Sequence, residues 1–276
     1  MLIQKGYNLV ITHGNGPQVG NIMLANSAAK RLYDMPEMPI DISVAYSQGF
    51  IGYVIEKQLR NVLRAHALDR DIITIITQVL VDNDDPAFSK PTKPIGPFYA
   101  KEEAEKITSE TQAIFREDPQ GRGWRRLVAS PEPLLISNQK SIENLVRSGQ
   151  IVIAVGGGGI PTYFKAINEL QGIEAVIDKD LASALLAGNI NADRFFILTD
   201  VPNVYLNFNT RQERPLSRLS VKEAKIYLDE GHFPEGSMGP KIQAGIHFVK
   251  HTGNDAIITN GEQLGNDNAG TRITIV

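Results

Sequence analysis

The chain has 276 residues, enough for one large domain or two small ones with a substantial buried core. Its 42% apolar and 21% charged fractions belong to a folded globular protein and exclude a disordered or fibrous one. With 28 basic against 31 acidic residues and no cysteine, it offers no general attraction for nucleic acid or an anionic membrane, and no disulfide, thiolate zinc site or cysteine nucleophile. No apolar run approaches the roughly 20 residues of a membrane span, and the first residues lack the apolar core of a signal peptide, so a cytoplasmic protein is expected.

Residues 8–12 read as a short buried strand. The following Gly14-Asn15-Gly16-Pro17-Gln18 reads as a loop feeding a helix, in whose first turn Pro17 sits without losing a hydrogen bond. Asp41 is placed to cap a long helix over residues 42–66, where Val44, Ile51, Ile55, Leu59 and Val62 approximate one apolar face. Residues 72–79 follow as one apolar, β-rich run. The stretch 82–133 then breaks the rhythm with a turn-rich opening, a short helical patch and a Gly-Arg-Gly-Trp segment. It predicts a protruding subdomain or lid, residues 84–130, inserted into a single domain that spans 1–276. Beyond it the pattern resumes with a helix over 139–148, a strand over 151–155, a helix over 181–187 and a strand over 195–199. Residues 202–215 read as polar turns, and Ser220 with Glu223 has capping-box spacing for a helix to about residue 230. Strands separated by helices predict an α/β fold, a mainly parallel sheet covered on both faces as an αβα sandwich.

Ligands in open parallel sheets bind beyond the carboxyl ends of the strands, which makes the glycine loops there the candidate site. Gly14 and Gly16 let backbone amides approach an anion ahead of a helix N-terminus, or make a tight strand-to-helix turn. Residues 156–159 are four successive glycines after an apolar strand, a run whose entropic cost is high for a turn alone. The spacing of Gly14, Gly16 and Gly20 misses G-x-G-x-x-G by one residue, and neither a P-loop nor a G-x-S-x-G elbow is present. Lys93, Lys179 and Lys241 sit beside turn or strand-end residues. Each can be surface decoration, yet together with glycine amides they supply the fixed donors that in-line phosphoryl transfer requires. Asp178 and Asp180 flank Lys179, and an acid there orients the lysines, assists Mg2+ or caps the helix that follows.

Several strings occur in order over essentially the whole chain: His13-Gly14-Asn15-Gly16-Pro17-Gln18-Val19-Gly20, Thr77-Gln78-Val79, Pro91-Thr92-Lys93-Pro94-Ile95-Gly96-Pro97-Phe98, Gly121-Arg122-Gly123-Trp124-Arg125, and residues 156–161, 176–182 and 236–241. Together they resemble the carbamate kinases. The resemblance implies a homodimer that transfers a phosphoryl group reversibly between ATP and carbamate, often forming ATP from ADP and carbamoyl phosphate, with a place in arginine metabolism. It implies that Gly14, Asn15, Gly16, Gly157 and Gly158 bind carbamate and the transferring phosphoryl group. Lys93, Lys179 and Asp180 are the implied catalytic set, with Lys93 reaching in from the subdomain and Asp180 organising the other lysines. Lys179, Thr199, Asp200, Val201, Met238 and Lys241 are implied around the nucleotide, and Mg2+ is expected to be held mainly by nucleotide phosphates, with no metal site on the protein. A carbamate oxygen needs no strong base, so positioning and charge neutralisation suffice, and His13 is either a substrate neighbour or a satisfied loop histidine.

Members of the family open with a strand, a Gly-Gly-Asn-Ala loop and a helix, whereas this sequence starts inside the end of that helix. A protein beginning strictly at Met1 is therefore expected to be nearly inactive or poorly folded, and a non-catalytic paralogue that binds nucleotide or carbamoyl phosphate is the alternative reading.

Overall fold

Short apolar strands alternate with longer helices, and the chain folds as the α/β protein that this alternation predicts. The computed structural model describes residues 2–118, 120–234 and 236–276. Two units pack within themselves: Asn8–Lys179, and Asp180–Val276 together with Met1–Tyr7.

The first half of Asn8–Lys179 contains β1 (Val10–Ile11), α1 (Gly16–Tyr33), α2 (Ile40–Ala65), β2 (Ile72–Thr74) and β3 (Gln78–Leu80). It continues through β4 (Lys93–Tyr99), α3 (Lys101–Thr111), β5 (Ile114–Glu117), β6 (Trp124–Val128) and β7 (Leu135–Ile136). The remaining elements are α4 (Gln139–Arg147), β8 (Ile151–Ile153), β9 (Ile160–Ala166) and β10 (Glu169–Gly172). β8 is buried along its length and pairs in parallel with β1 on one side and β2 on the other, Val152 facing both Val10 and Ile73. A central parallel strand covered on both faces is a continuous apolar run, which is how Ile151-Val152-Ile153 reads.

Three local expectations change here. The run 72–79 is two strands: after Thr74 the chain leaves the β1-β8-β2 sheet, and β3 joins a second sheet of order β10-β9-β3-β7. Thr77 sits at the switch. Its hydroxyl donates to Ile75 O at 2.9 Å and accepts from Val155 N at 3.1 Å, while its carbonyl accepts from Ile160 N at 2.9 Å. Asp41 lies inside the first turn of α2 and does not cap it; the open Ile40 N–H donates instead to Glu174 Oε1 at 2.9 Å. Residues 84–130 hold more regular structure than their turn-rich sequence suggests, an antiparallel sheet of order β4-β6-β5 with α3 packed against β5 and β6. Ile95 of β4 is buried with Val19, Ile40, Val44 and Val128, and Gly20 lets α1 approach Gly96 closely.

The Asp180–Val276 unit holds all but the first residue of α5 (Lys179–Asn189), then β11 (Phe195–Leu198), β12 (Val204–Leu206), β13 (Arg214–Leu216) and β14 (Arg218–Ser220). It ends with α6 (Val221–Asp229), α7 (Met238–Thr252), β15 (Ala256–Thr259) and β16 (Thr271–Thr274). Its main sheet has the order β11-β15-β16-β14, with β11 and β15 parallel and a core built from Phe195, Leu219, Ile242, Phe248 and Ile258. Residues 202–215, expected as turns, contribute instead to the β12–β13 hairpin, which is seated by burial of Val204, Leu206 and Leu216. Val204 N donates to Thr271 Oγ1 at 2.7 Å, a contact that no local pattern reveals. The capping box of α6 forms as expected, with Glu223 N donating to Ser220 Oγ and Ser220 N to Glu223 Oε2. No helix among the described residues is long and apolar enough to cross a membrane.

Candidate active site

Because β1 and β8 are adjacent and parallel, the loops leaving their carboxyl ends open on the same edge of the sheet. Gly157 N donates to His13 O at 2.7 Å and joins the two loops directly. Glycine is obligatory at this contact: Gly157 has φ +67, and a Cβ there would overlap the Asn15 amide. At Gly158, φ is +95 and a Cβ would run into the Ile177 carbonyl oxygen. The amides of Gly157, Gly158 and Gly159 donate to His13 O, Val155 O and Gly156 O, so the glycine run serves close packing of the backbone. The first turn of α1, which opens at Gly16, has helix N–H groups with no intrahelical acceptor, the kind of donor that an anion can use.

The loops are held from behind by α2. Asn15, 4% exposed, donates its amide to Ser47 Oγ at 2.9 Å, and Ser47 donates in turn to Val44 O at 2.6 Å. Gln48, 1% exposed, accepts from Thr77 N at 2.7 Å and donates to Thr77 O at 3.2 Å and Gly156 O at 3.0 Å. Between them Val155 is held at φ 54, a left-handed conformation strained for a β-branched residue and sustained by the Thr77 hydroxyl on its N–H. His13 lies beside Gly156, its Nδ1 3.0 Å from Gly14 O. Burial pulls its pKa below the ordinary 6.5, against a smaller opposing effect of that hydrogen bond, so the imidazole at neutral pH is uncharged.

Two of the expected lysines meet this edge. Lys179 lays its Cδ and Cε 3.3 and 3.4 Å from the point where a Gly14 Cβ would stand. Lys93, on β4, holds Asp178 Oδ2 at 2.6 Å, and Asp178 is the neighbour of Lys179. Gly14, Asn15, Gly157, Gly158, Lys93 and Lys179 are thus brought together within Asn8–Lys179, with Gly16 heading α1.

The other expected residues belong to the Asp180–Val276 unit. Asp180 stands in the first turn of α5 and Lys241 in the first turn of α7, and they form an ion pair of 2.9 Å with side chains 9% and 13% exposed. A carboxylate in a first helical turn is also favoured by the helix dipole. α5 and α7 precede the parallel strands β11 and β15, which sets their N-termini toward the carboxyl ends of those strands. Thr199, Asp200 and Val201 follow β11 at that end, and Thr199 N donates to Thr259 O at 2.9 Å. Met238 opens α7 and packs on the core of this unit. Among the described residues no group of three His, Asp or Glu side chains is arranged to hold a metal ion.

The family model of the amino acid kinase family matches residues 1–260. The carbamate kinase of Pyrococcus horikoshii is 49% identical over 262 residues, covering 95% of this chain and 83% of that protein. That of Lentilactobacillus hilgardii is 46% identical, covering 99% and 86%. The structure of carbamate kinase from Giardia lamblia bound to AMP-PNP superposes with a TM-score of 0.90 at 43% identity, covering 99% of this chain and 86% of that one. The chain belongs to the amino acid kinase family, among its carbamate kinases.

Within this member of the family, the residues that sequence reasoning missed are Ser47, Gln48 and the buried side of Thr77. A signal for the first two was present: Ser43, Ser47 and Gln48 interrupt the buried face of α2 around Val44, where an amphipathic helix should be apolar. Buried polar groups on such a face need partners: Ser43 donates to Pro39 O, whereas Ser47 and Gln48 meet the glycine loops and Thr77.

Proposed function

We propose that this chain catalyses reversible phosphoryl transfer between ATP and carbamate, forming ATP when ADP and carbamoyl phosphate are supplied. The observation that carries the reading is the junction of two glycine loops at neighbouring parallel strand ends with Lys179 laid over Gly14, in a chain 46–49% identical to proteins named carbamate kinase. In the ATP-forming direction the bond between the carbamate oxygen and phosphorus breaks, and a β-phosphate oxygen of ADP takes the phosphoryl group. The leaving carbamate is already a stable anion, so no general acid or base is required, and the neutral His13 fits a role in packing the loops. Catalysis then rests on holding the reactants in line and neutralising charge on the transferring oxygens. Lys93 and Lys179 supply positive charge, and the first turn of α1 at Gly16, beside Gly14 and Asn15, supplies fixed donors. Lys241, oriented by Asp180, takes nucleotide phosphate, and Thr199, Asp200, Val201 and Met238 border the nucleotide.

Asp178 and Asp180 are each engaged by a lysine. Mg2+ enters as part of the substrate, bound by the phosphates of the nucleotide. The small sheet carrying Lys93 acts as a lid whose lysine exchanges Asp178 for the phosphoryl group. The protein works as a cytoplasmic homodimer in arginine metabolism; exposed Ile42, Tyr46, Phe50 and Tyr53 along α2 support self-association, and a cysteine-free composition suits a reducing compartment.

The test is a coupled assay of ATP formation from ADP, carbamoyl phosphate and Mg2+, beside a panel of amino-acid carboxylates in the reverse direction. ATP formation that requires carbamoyl phosphate is expected. Phosphorylation of an amino acid without use of carbamate, or nucleotide binding without any turnover, would overturn the assignment.

A further inference from the structure

The sheet β4-β6-β5 has a side that phosphoryl transfer leaves unused. Pleating puts Lys93, Ile95 and Tyr99 on one side with their β6 partners Val128, Arg126 and Trp124, and from that side Arg126 reaches Glu174 at 3.6 Å. Arg125 alternates with these residues and projects from the opposite side, directly across from Arg116 of β5. There the guanidinium carbons of Arg122 and Arg125 lie 4.8 and 5.4 Å from the centre of the Phe98 ring. Gly123, at φ +125, makes the arrangement possible, since a Cβ would stand 2.8 Å from Tyr99 O and 3.4 Å from Phe98 Cβ.

Charge on this side does not balance. Arg122 is matched by Asp118 through two hydrogen bonds of 3.0 Å. Among the described residues, Arg116 makes a single 3.4 Å contact, to Thr92 O. Arg125 is partly buried, its Nε is sequestered from solvent and has no hydrogen-bond partner among the described residues, and the nearby Asp118 carboxylate is already bonded to Arg122. Burial foremost, then the neighbouring Arg122, act against its charge, and Asp118 offsets them only in part. Holding a guanidinium this way is unfavourable unless a further group completes it. Guanidinium forks match the oxygens of a phosphate group, and Arg116, Arg122 and Arg125 against the single Asp118 leave an excess of two positive charges, which calls for a dianion.

We propose that Phe98, Arg116, Arg122 and Arg125 form a binding site for a dianionic phosphate group on the side of the small sheet opposite Lys93. The group can be free phosphate or the phosphomonoester of a small metabolite, and the experiment separates the two. The whole protein, free of nucleotide and carbamoyl phosphate, is titrated by calorimetry with inorganic phosphate and separately with glycerol phosphate, against chloride at matched ionic strength. Fluorescence of Trp124, the single tryptophan and the neighbour of Arg125, serves as a second readout. Saturable binding is expected in the wild type and in Lys93→Met, with affinity at least tenfold weaker in Arg125→Met, and no rescue in Arg125→Lys, which keeps charge but loses the fork. ADP affinity of Arg125→Met should equal the wild type, which shows that the variant is folded. Tighter binding of inorganic phosphate assigns the site to free phosphate, and tighter binding of the ester assigns it to a metabolite. Absence of saturable binding by both readouts, or binding that survives in Arg125→Met and disappears in Lys93→Met, would overturn the proposal.

Discussion

Replacing Gln48 by alanine removes three hydrogen bonds from one side chain, but their consequences are unequal. The Thr77 carbonyl keeps Ile160 N at 2.9 Å and the Gly156 carbonyl keeps Gly159 N at 3.1 Å, so both acceptors remain satisfied. The Thr77 N–H, which donates to Gln48 at 2.7 Å, loses its acceptor in a buried position. An orphaned buried donor costs about 1–3 kcal/mol, and the cavity left by the missing side chain brings the total to about 2–5 kcal/mol. Gln48→Met separates the two effects, since it refills the volume and leaves the donor orphaned; it should cost about 1–3 kcal/mol by urea denaturation. In turnover assays both variants should lower kcat and raise KM for carbamoyl phosphate by loosening Gly156 against His13 and Asn15, with ADP affinity little changed. A Gln48→Met protein within about 0.5 kcal/mol of the wild type would show that Thr77 N–H finds another acceptor, and the account of Gln48 as the support of the loops would be withdrawn.

Lys179→Met and Lys241→Met should each weaken ADP binding at least tenfold by calorimetry, as each removes a charge-assisted contact worth about 1.5–3 kcal/mol; unchanged affinity in both would remove them from the site. Lys241→Met should also lower stability by removing the buried ion pair with Asp180, a loss that Asp180→Asn in the same protein should partly restore. Gly157→Ala should abolish use of carbamoyl phosphate, because its Cβ meets Asn15 and its φ is +67; a fully active variant would show that the loops need not touch. Stability should fall as pH drops below 6.5, the ordinary histidine value: His13 is depressed in the fold, so below 6.5 the unfolded chain binds the extra proton first, and the stabilisation is complete only above it. His13→Asn should flatten that part of the profile in denaturation measured across this range. Hydrogen exchange in residues 84–130 should slow when ADP and carbamoyl phosphate are added together, and exchange indifferent to both ligands would remove the lid.

Much of the site was legible in the sequence because its glycines answer to backbone geometry. Positive φ at Gly157 and Gly158 and close passage beside Asn15 and Ile177 tolerate no side chain, so the requirement is written into the residues themselves. The strand-helix alternation and the Ser220–Glu223 capping box were legible for a similar reason, since each depends on neighbours a few residues apart. The partners were not. Nothing near Asp41 announces that Glu174 will meet the Ile40 N–H, and nothing in residues 72–79 marks Thr77 as the crossing from one sheet to another. Lys93 and Lys241 stood out as candidate cations, and the resemblance already implied Asp180 beside Lys241, but only the fold decided that Asp178 answers Lys93. Gln48 was read as part of an ordinary helix until β3 and the glycine turn were packed against it. Backbone conformation and caps are set by forces within a turn or two of chain, whereas the acceptor of a buried donor depends on which distant segments the core brings together.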